Sequence, residues 1–314
     1  MFEWLAWRSG ENVLTAEQQV IFWTKFGGYS VPVQEKKLSI LEARALVKNI
    51  VNTLKSKTTQ AMRREGYVFD GLLGHTGGGK ALLYHMIKVD TGEVVCGKVY
   101  SVGVDTEAGI SAEVSTSEAV HAMTTNPHIV KYSEKIDFAH HTQSEKRMVA
   151  LVMPLYEMSL ATVLEAFDAH PLPHGMFTKV VNTVLAAAST LRRLDLAHCD
   201  IKPENIMLRN TAFTVIDLGS VVKLNSEARE YTHGYYLDST VHKVSPEFDL
   251  NCILTTLVRC SIPEFTPARG MTRLQLRDVV NQSTLDVFYT TYLDVCFSSR
   301  DCEDAYCRVQ NLVL

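Results

Sequence analysis

The sequence has no uninterrupted apolar run approaching the roughly 20 residues that a membrane-spanning helix needs. Its opening, Met1-Phe2-Glu3-Trp4-Leu5-Ala6-Trp7-Arg8, is apolar but too short and wrongly flanked for a secretory signal. The expectation is a soluble intracellular chain, cytoplasmic or nuclear, with no membrane insertion. A dominant charge of one sign is also missing. With 31 Lys and Arg against 35 Asp and Glu, the formal charge is −4. That balance gives no reason to expect nucleic acid or an anionic membrane as partner. The seven cysteines (Cys96, Cys199, Cys252, Cys260, Cys296, Cys302 and Cys307) form no Cys-x-x-Cys pair. Their scatter argues against a disulfide framework and for buried free thiols. There is no internal repeat and no low-complexity segment. What is present, 314 residues of which 46% are apolar, is enough for one large or two-lobed domain with a substantial core.

Residues 1–66 read as an N-terminal extension, irregular and aromatic-rich at first, then helical. Ser39 and Glu42 make a capping box, and Ala43, Leu46, Val47, Ile50, Val51 and Leu54 follow at helical spacing. That helix either packs on the main domain or docks a partner. From 67 to 153 the pattern turns to strands: Tyr67–Phe69, Ala81–Ile87, Val94–Tyr100, Val130–Phe138 and Arg147–Met153, with one helix over Ser111–Met123. From 157 to 314 it is mainly helical, with a wide apolar face from Phe177 to Leu194 and another helix around Leu250–Val258. The fold class is α+β: a small antiparallel β-lobe with one helix, then a larger α-lobe, with a ligand cleft near 153–160.

The chemistry is concentrated in His198-Cys199-Asp200-Ile201-Lys202-Pro203-Glu204-Asn205, followed by Phe213-Thr214-Val215-Ile216-Asp217-Leu218-Gly219. Two acids, an amide and a lysine stand on loops flanked by short apolar strands. Asp200 can accept a proton from a hydroxyl nucleophile. Asn205 and Asp217 offer hard oxygen donors suited to Mg²⁺ held between protein and phosphates. Lys202 can neutralise charge on a phosphoryl group in transit.

This segment resembles the catalytic loop of the protein kinase family, with Asp-Leu-Gly where Asp-Phe-Gly is usual. The resemblance implies a bilobal kinase-like fold over 67–314, with ATP and Mg²⁺ as cofactors. Asp200 would then be the base, and Asn205 and Asp217 the metal ligands. The form Lys202-Pro203-Glu204-Asn205 implies Ser or Thr hydroxyls of protein substrates as acceptors. Upstream, Leu73-Gly74-His75-Thr76-Gly77-Gly78-Gly79-Lys80-Ala81 is similar to the family's glycine-rich loop over ATP. It also nearly fits a Walker A loop, but Ala81 stands where Ser or Thr binds magnesium and the residues after it read as a strand. Lys98 resembles the third-strand lysine that contacts the α- and β-phosphates. Glu118 is its expected ion-pair partner, with Glu113 the alternative. Met153 is similar to the gatekeeper, and Pro154, Leu155 and Tyr156 to the adenine-binding passage. Asp249 is similar to the buried aspartate that braces the catalytic loop, and Arg300 to the family's late arginine.

The likeness breaks in two places. Cys199 stands where most regulated kinases carry an arginine, so a phosphate on the activation segment has no such partner. Ser245-Pro246-Glu247 looks like the Ala-Pro-Glu signature but lies too near Asp249. Leu237-Asp238-Ser239 is expected to take its place after Thr232-x-x-Tyr235, with Asp238 facing Arg300. Such compactness resembles the kinases of large DNA viruses, which would place the protein in an infected host cell. A pseudokinase scaffold and a small-molecule phosphotransferase of the aminoglycoside-kinase type are the alternative functions.

Overall fold

A computed structural model describes residues 65–75, 81–102, 104–124, 126–139, 147–167, 170–228, 231–237 and 243–312. The capped helix expected from Ser39 lies outside them. The described residues fall into two compact units. A sheet unit runs to Glu118 and includes Lys131–Tyr156, and a helical unit holds Ala119–Val130 and everything from Glu157.

The sheet unit contains strands β1 (Tyr67–His75), β2 (Ala81–Lys88), β3 (Val94–Ser101), β4 (Glu134–Ala139) and β5 (Arg147–Pro154), and helix α1 (Val104–Met123) as far as Glu118. Every pairing is antiparallel, in the order β1-β2-β3-β5-β4. Both faces of the central strands are covered, which is why β3 and β5 read as nearly continuous apolar runs instead of alternating ones. Ala150 and Val152 join Tyr67, Met86, Val95, Val99 and Ile136 on one face. Val149 and Leu151 join Ala81, Tyr100 and Ile110 on the other. Gly97 leaves room for Met86, whose sulfur would lie 2.5 Å from a Cβ there and would have to move aside.

Two boundaries differ from the sequence reading. The helix begins seven residues earlier than Ser111, since Gly109 inside the pattern disguises its first turns. The strand expected from Val130 begins at Glu134. Residues 128–130 are drawn away instead: the Val130 N–H donates to the Val215 carbonyl at 2.9 Å, and the Val215 N–H to the His128 carbonyl at 2.8 Å.

The helical unit opens with β6 (Met158–Ser159), α2 (Leu160–Phe167) and α3 (His174–Arg193), then β7 (Leu196–Ala197). A hairpin of β8 (Ile206–Arg209) and β9 (Ala212–Val215) follows, then β10 (Val222–Lys223). Four helices complete it: α4 (Phe248–Ser261), α5 (Arg273–Gln282), α6 (Val287–Ser298) and α7 (Cys302–Gln310). Helix α3 buries Phe177, Val180, Val181, Val184, Leu185, Ala188 and Leu191, the face its periodicity predicts. Helix α4 is buried almost all round. No described helix is long and apolar enough to cross a membrane. The architecture is thus the expected one, an antiparallel five-strand sheet with a helix, followed by a mostly helical region.

Six of the seven cysteines are buried free thiols, and Cys307 is exposed. Burial pushes the Cys96, Cys260 and Cys296 thiols up to about 12, and Cys252 and Cys302 in the same direction. In the unfolded chain these groups ionise near 9, so above that pH the folded state alone keeps its protons and stability falls. Cys96, Cys260 and Cys296 should each remove about 1.4 kcal/mol per pH unit between about 9 and 12, and Cys252 and Cys302 act in the same direction. Urea midpoints under reducing conditions should therefore drop steeply from pH 8.5 to 10.5. A second expectation concerns Gly109, where an added Cβ meets nothing within 4 Å. Gly109→Ala should stabilise the chain by about 0.5–1 kcal/mol, read from the same titration.

Candidate active site

The site in the helical unit is set by one hairpin register. Ile206 pairs with Val215, which brings Asn205 opposite Ile216, and the Ile216 N–H donates to the Asn205 carbonyl at 2.9 Å. Pro203 opens the short 3₁₀ turn Pro203–Asn205 with its φ already fixed. The ends of the two loops are thereby held side by side.

Within the first loop the polar groups converge on Asp200. Its Oδ2 accepts from Lys202 Nζ at 2.7 Å and from Asn205 Nδ2 at 2.9 Å, and Asn205 Nδ2 also reaches the Asp200 carbonyl at 2.9 Å. Thr232, arriving from the 231–237 segment, donates its hydroxyl to Asp200 Oδ1 at 2.6 Å and accepts from Lys202 Nζ at 2.6 Å. Both acceptors facing Asn205 demand its amide nitrogen, so its carbonyl oxygen is the group left to meet a cation. Asp217 caps the 3₁₀ turn Leu218–Ser220 with φ 65° and ψ 71°, a left-handed conformation that costs a non-glycine residue about 1–3 kcal/mol. An amide and a carboxylate oxygen fit a magnesium ion that takes its remaining ligands from phosphate and water. No cluster of three or more His, Cys, Asp or Glu side chains at metal-binding spacing occurs among the described residues. Two protein ligands with phosphates do not require one.

Beneath the loop lies Asp249, 4% exposed in the first turn of α4. Its Oδ2 accepts from the His198 N–H at 2.7 Å and its Oδ1 from the Cys199 N–H at 2.9 Å. Burial pushes this carboxyl up, and the two N–H donors oppose that. Cys199 is held with φ 67°. The His198 ring then joins the two loops: Nδ1 accepts from the Asp200 N–H at 3.3 Å, and Nε2 meets the Ile216 carbonyl at 3.1 Å. The proton therefore sits on Nε2.

Comparison with known proteins agrees with this geometry. The family described as "Protein kinase domain" matches residues 67–248, more than half of the sequence. The chain belongs to the protein kinase family. It is 35% identical over 72 residues to a probable serine/threonine-protein kinase, clkA, of Dictyostelium discoideum, covering 23% of this chain and 8% of that protein. It is 31% identical over 171 residues to the serine/threonine-protein kinase PknG of Mycolicibacterium smegmatis, covering 54% and 21%. With the serine/threonine-protein kinase SKS1 of Saccharomyces cerevisiae it shares 36% identity over 110 residues, 34% and 20%. The chain thus spans at most about a fifth of the length of these relatives. They come from an amoeba, a bacterium and a yeast, so the expected viral likeness has no support among them.

Lys98 on β3, expected as the ATP-binding lysine, is 4% exposed and pairs with Glu113, not with the expected Glu118. Lys98 Nζ lies 2.8 Å from Glu113 Oε1. The correction follows from helix phase. Ile110, Glu113, Ser117 and Val120 are the buried stripe of α1, at spacings of three and four, whereas Glu118 is exposed.

The Arg300 side chain is exposed, with its Nε 3.7 Å from Asp304. The half-buried guanidinium of this region belongs to Arg273, which donates to the Cys296, Phe297 and Ser299 carbonyls at 3.0, 2.7 and 3.2 Å. Burial lowers its pKa and Glu247 of Ser245-Pro246-Glu247 opposes that shift. Asp238 and Ser239 lie outside the described residues.

The other expected positions are distributed as follows. Leu73, Gly74 and His75 end β1, with Leu73 exposed, and Ala81 begins β2 as a buried residue. Thr76, Gly77, Gly78, Gly79 and Lys80 lie outside the described residues. The strand that starts at Ala81 removes the Walker A alternative, which requires a helix there. Met153 and Leu155 are buried at and after the end of β5. Thr232 belongs to the Thr232-x-x-Tyr235 pattern, and its contact with Asp200 is one that its residue type alone does not predict.

Breaking one side of a buried ion pair leaves a bare charge in the interior. Glu113→Gln should lower unfolding free energy by about 3–5 kcal/mol. Glu118→Gln should change it by less than about 0.5 kcal/mol, both measured by urea denaturation.

Proposed function

We propose that the chain transfers the γ-phosphoryl group of Mg-ATP to Ser or Thr hydroxyls of protein substrates. The observation that carries this reading is the convergence of Lys202, Asn205 and Thr232 on the Asp200 carboxylate. A carboxylate gripped from three sides is oriented before substrate arrives, which is what catalysis by positioning requires. In this reading the acceptor hydroxyl donates to Asp200, which takes its proton. Lys202 neutralises the charge on the transferring group, and Lys98 holds the α- and β-phosphates. Asn205 and Asp217 would hold magnesium, which when bound neutralises charge on the phosphate oxygens. The glycine-rich stretch from Gly74 to Gly79 would cover the phosphates, and Met153 to Leu155 would meet adenine.

The Ser/Thr assignment is supported by the form Lys202-Pro203-Glu204-Asn205 and by the printed names of the relatives above. The proposed domain runs over 67–314, beyond the matched 67–248, because Asp249 and the helices packed around α4 are what hold the loop.

Labelled Mg-ATP incubated with basic proteins and with the chain itself tests the reading. Label on Ser or Thr is expected, and Asp217→Ala should abolish it. Asp200→Asn should lower kcat by roughly 10²–10⁴, the usual worth of a positioned base. ATP binding without transfer to any protein would leave a pseudokinase, or a phosphotransferase acting on small molecules.

A further inference from the structure

Glu113 holds more than a lysine. Tyr100 follows Lys98 by two residues on β3, so both side chains leave the same face of the sheet. The Tyr100 hydroxyl donates to Glu113 Oε2 at 2.7 Å, while Lys98 takes Oε1. A second hydroxyl reaches Oε1 from Tyr132, in the segment leading into β4. The Tyr132 backbone N–H also donates to Ser117 Oγ at 3.3 Å, one helical turn beyond Glu113. Three donors from two stretches of chain thus converge on one carboxylate that is 1% exposed. Tyr132 fastens α1 at positions i and i+4 together.

Neutralising Lys98 needs only one carboxylate oxygen. The additional hydroxyls fix the direction of the carboxylate, and through it the rotation of the helix. Tyr100 also remains a donor throughout the physiological range, because burial and then the Glu113 charge push its hydroxyl far above the usual tyrosine value.

We propose that Tyr100 and Tyr132 are positioning residues that clamp Glu113, and with it helix α1, so that Lys98 is held ready without a partner protein or a modification to press the helix into place. This rests on the reading of Lys98 as the ATP-binding lysine. The clamp would make the sheet unit self-sufficient in presenting that side chain.

The test uses the full chain with Tyr100→Phe, Tyr132→Phe and the double variant, which keep the rings and remove only the hydroxyls. Two quantities are measured: hydrogen exchange of the Val104–Met123 amides, and Kd for Mg-ATP by calorimetry, with kcat at saturating ATP beside it. In the double variant exchange in α1 should accelerate about tenfold or more while α4 is unchanged, and Kd for Mg-ATP should rise about tenfold. The kcat at saturating ATP should stay within about threefold, because bound nucleotide restores the lysine. Each single variant should show a smaller shift in the same direction. Wild-type exchange in the double variant overturns the clamp. So does faster exchange with an unchanged Kd, or a Kd shift without faster exchange. A wild-type chain that binds Mg-ATP but transfers no phosphate refutes the catalytic reading alone, and the same two measurements still decide the clamp. A wild-type chain that does not bind Mg-ATP at all overturns both.

Discussion

The candidate site depends on a single buried carboxylate. Asp249 would be costly in the interior were it not for the two backbone N–H groups it accepts, those of His198 and Cys199. Those hydrogen bonds help hold Cys199 in a left-handed conformation that a residue with a Cβ does not adopt freely. The next residue is Asp200. The His198 ring, fixed by the same contacts, reaches the carbonyl of Ile216 and so carries the orientation across to the loop that begins at Asp217. Because α4 is buried on nearly every side, the aspartate has little freedom to follow a moving loop. Rigidity therefore passes from a packed helix, through one side chain, to both loops of the candidate site.

The sheet unit solves a related problem differently. Lys98 has to emerge from a strand whose two faces are covered, so its ammonium is taken out of water along with its partner. Such a pair tolerates this only if the remaining lone pairs of the carboxylate are also filled. The tyrosine hydroxyls at Glu113 meet that condition, and Tyr100 adds its ring 5.3 Å from the ammonium. Both units thus bury a carboxylate and satisfy it with donors from outside its own helix. In one the donors are backbone and serve a loop, in the other they are side chains and serve a helix.

This difference explains what could be read from the sequence. The stretch from His198 to Asn205 and the apolar run into Asp217 are local, and hairpin register alone brings them together, so their residue types in order were informative. Asp249 was legible too, as an acid at the head of an apolar helix. The partner of Lys98 was not, because two glutamates five residues apart look alike in order and differ by more than a third of a turn around the helix. The start of α1 was hidden by Gly109. The start of β4 was hidden by β9, which draws residues 128–130 to itself through backbone bonds that no side chain announces. Arg273 and Arg300 show the same limit. Each is an arginine near the end of the chain, and only packing decides which guanidinium reaches the carbonyls that end α6.

The segment carrying Thr232 shows how the chain manages with Cys199 in place of an arginine. The Cys199 thiol is buried, and a thiol is neutral or anionic, so it offers no cation to an anion on the segment. The anchoring is apolar instead. Tyr236 stacks on Phe248 at 4.0 Å and 12°, and Tyr231 meets Tyr236, Phe248 and His233 edge-on. Phe248 is the first residue of α4 and precedes Asp249 directly. The rings that hold Thr232 beside Asp200 therefore rest on the same helix turn that braces the loop from beneath. A charge pair would weaken in salt and would need a phosphate to form. Stacked rings on a buried helix need neither, and they tie the segment, Asp200 and its brace to one rigid element.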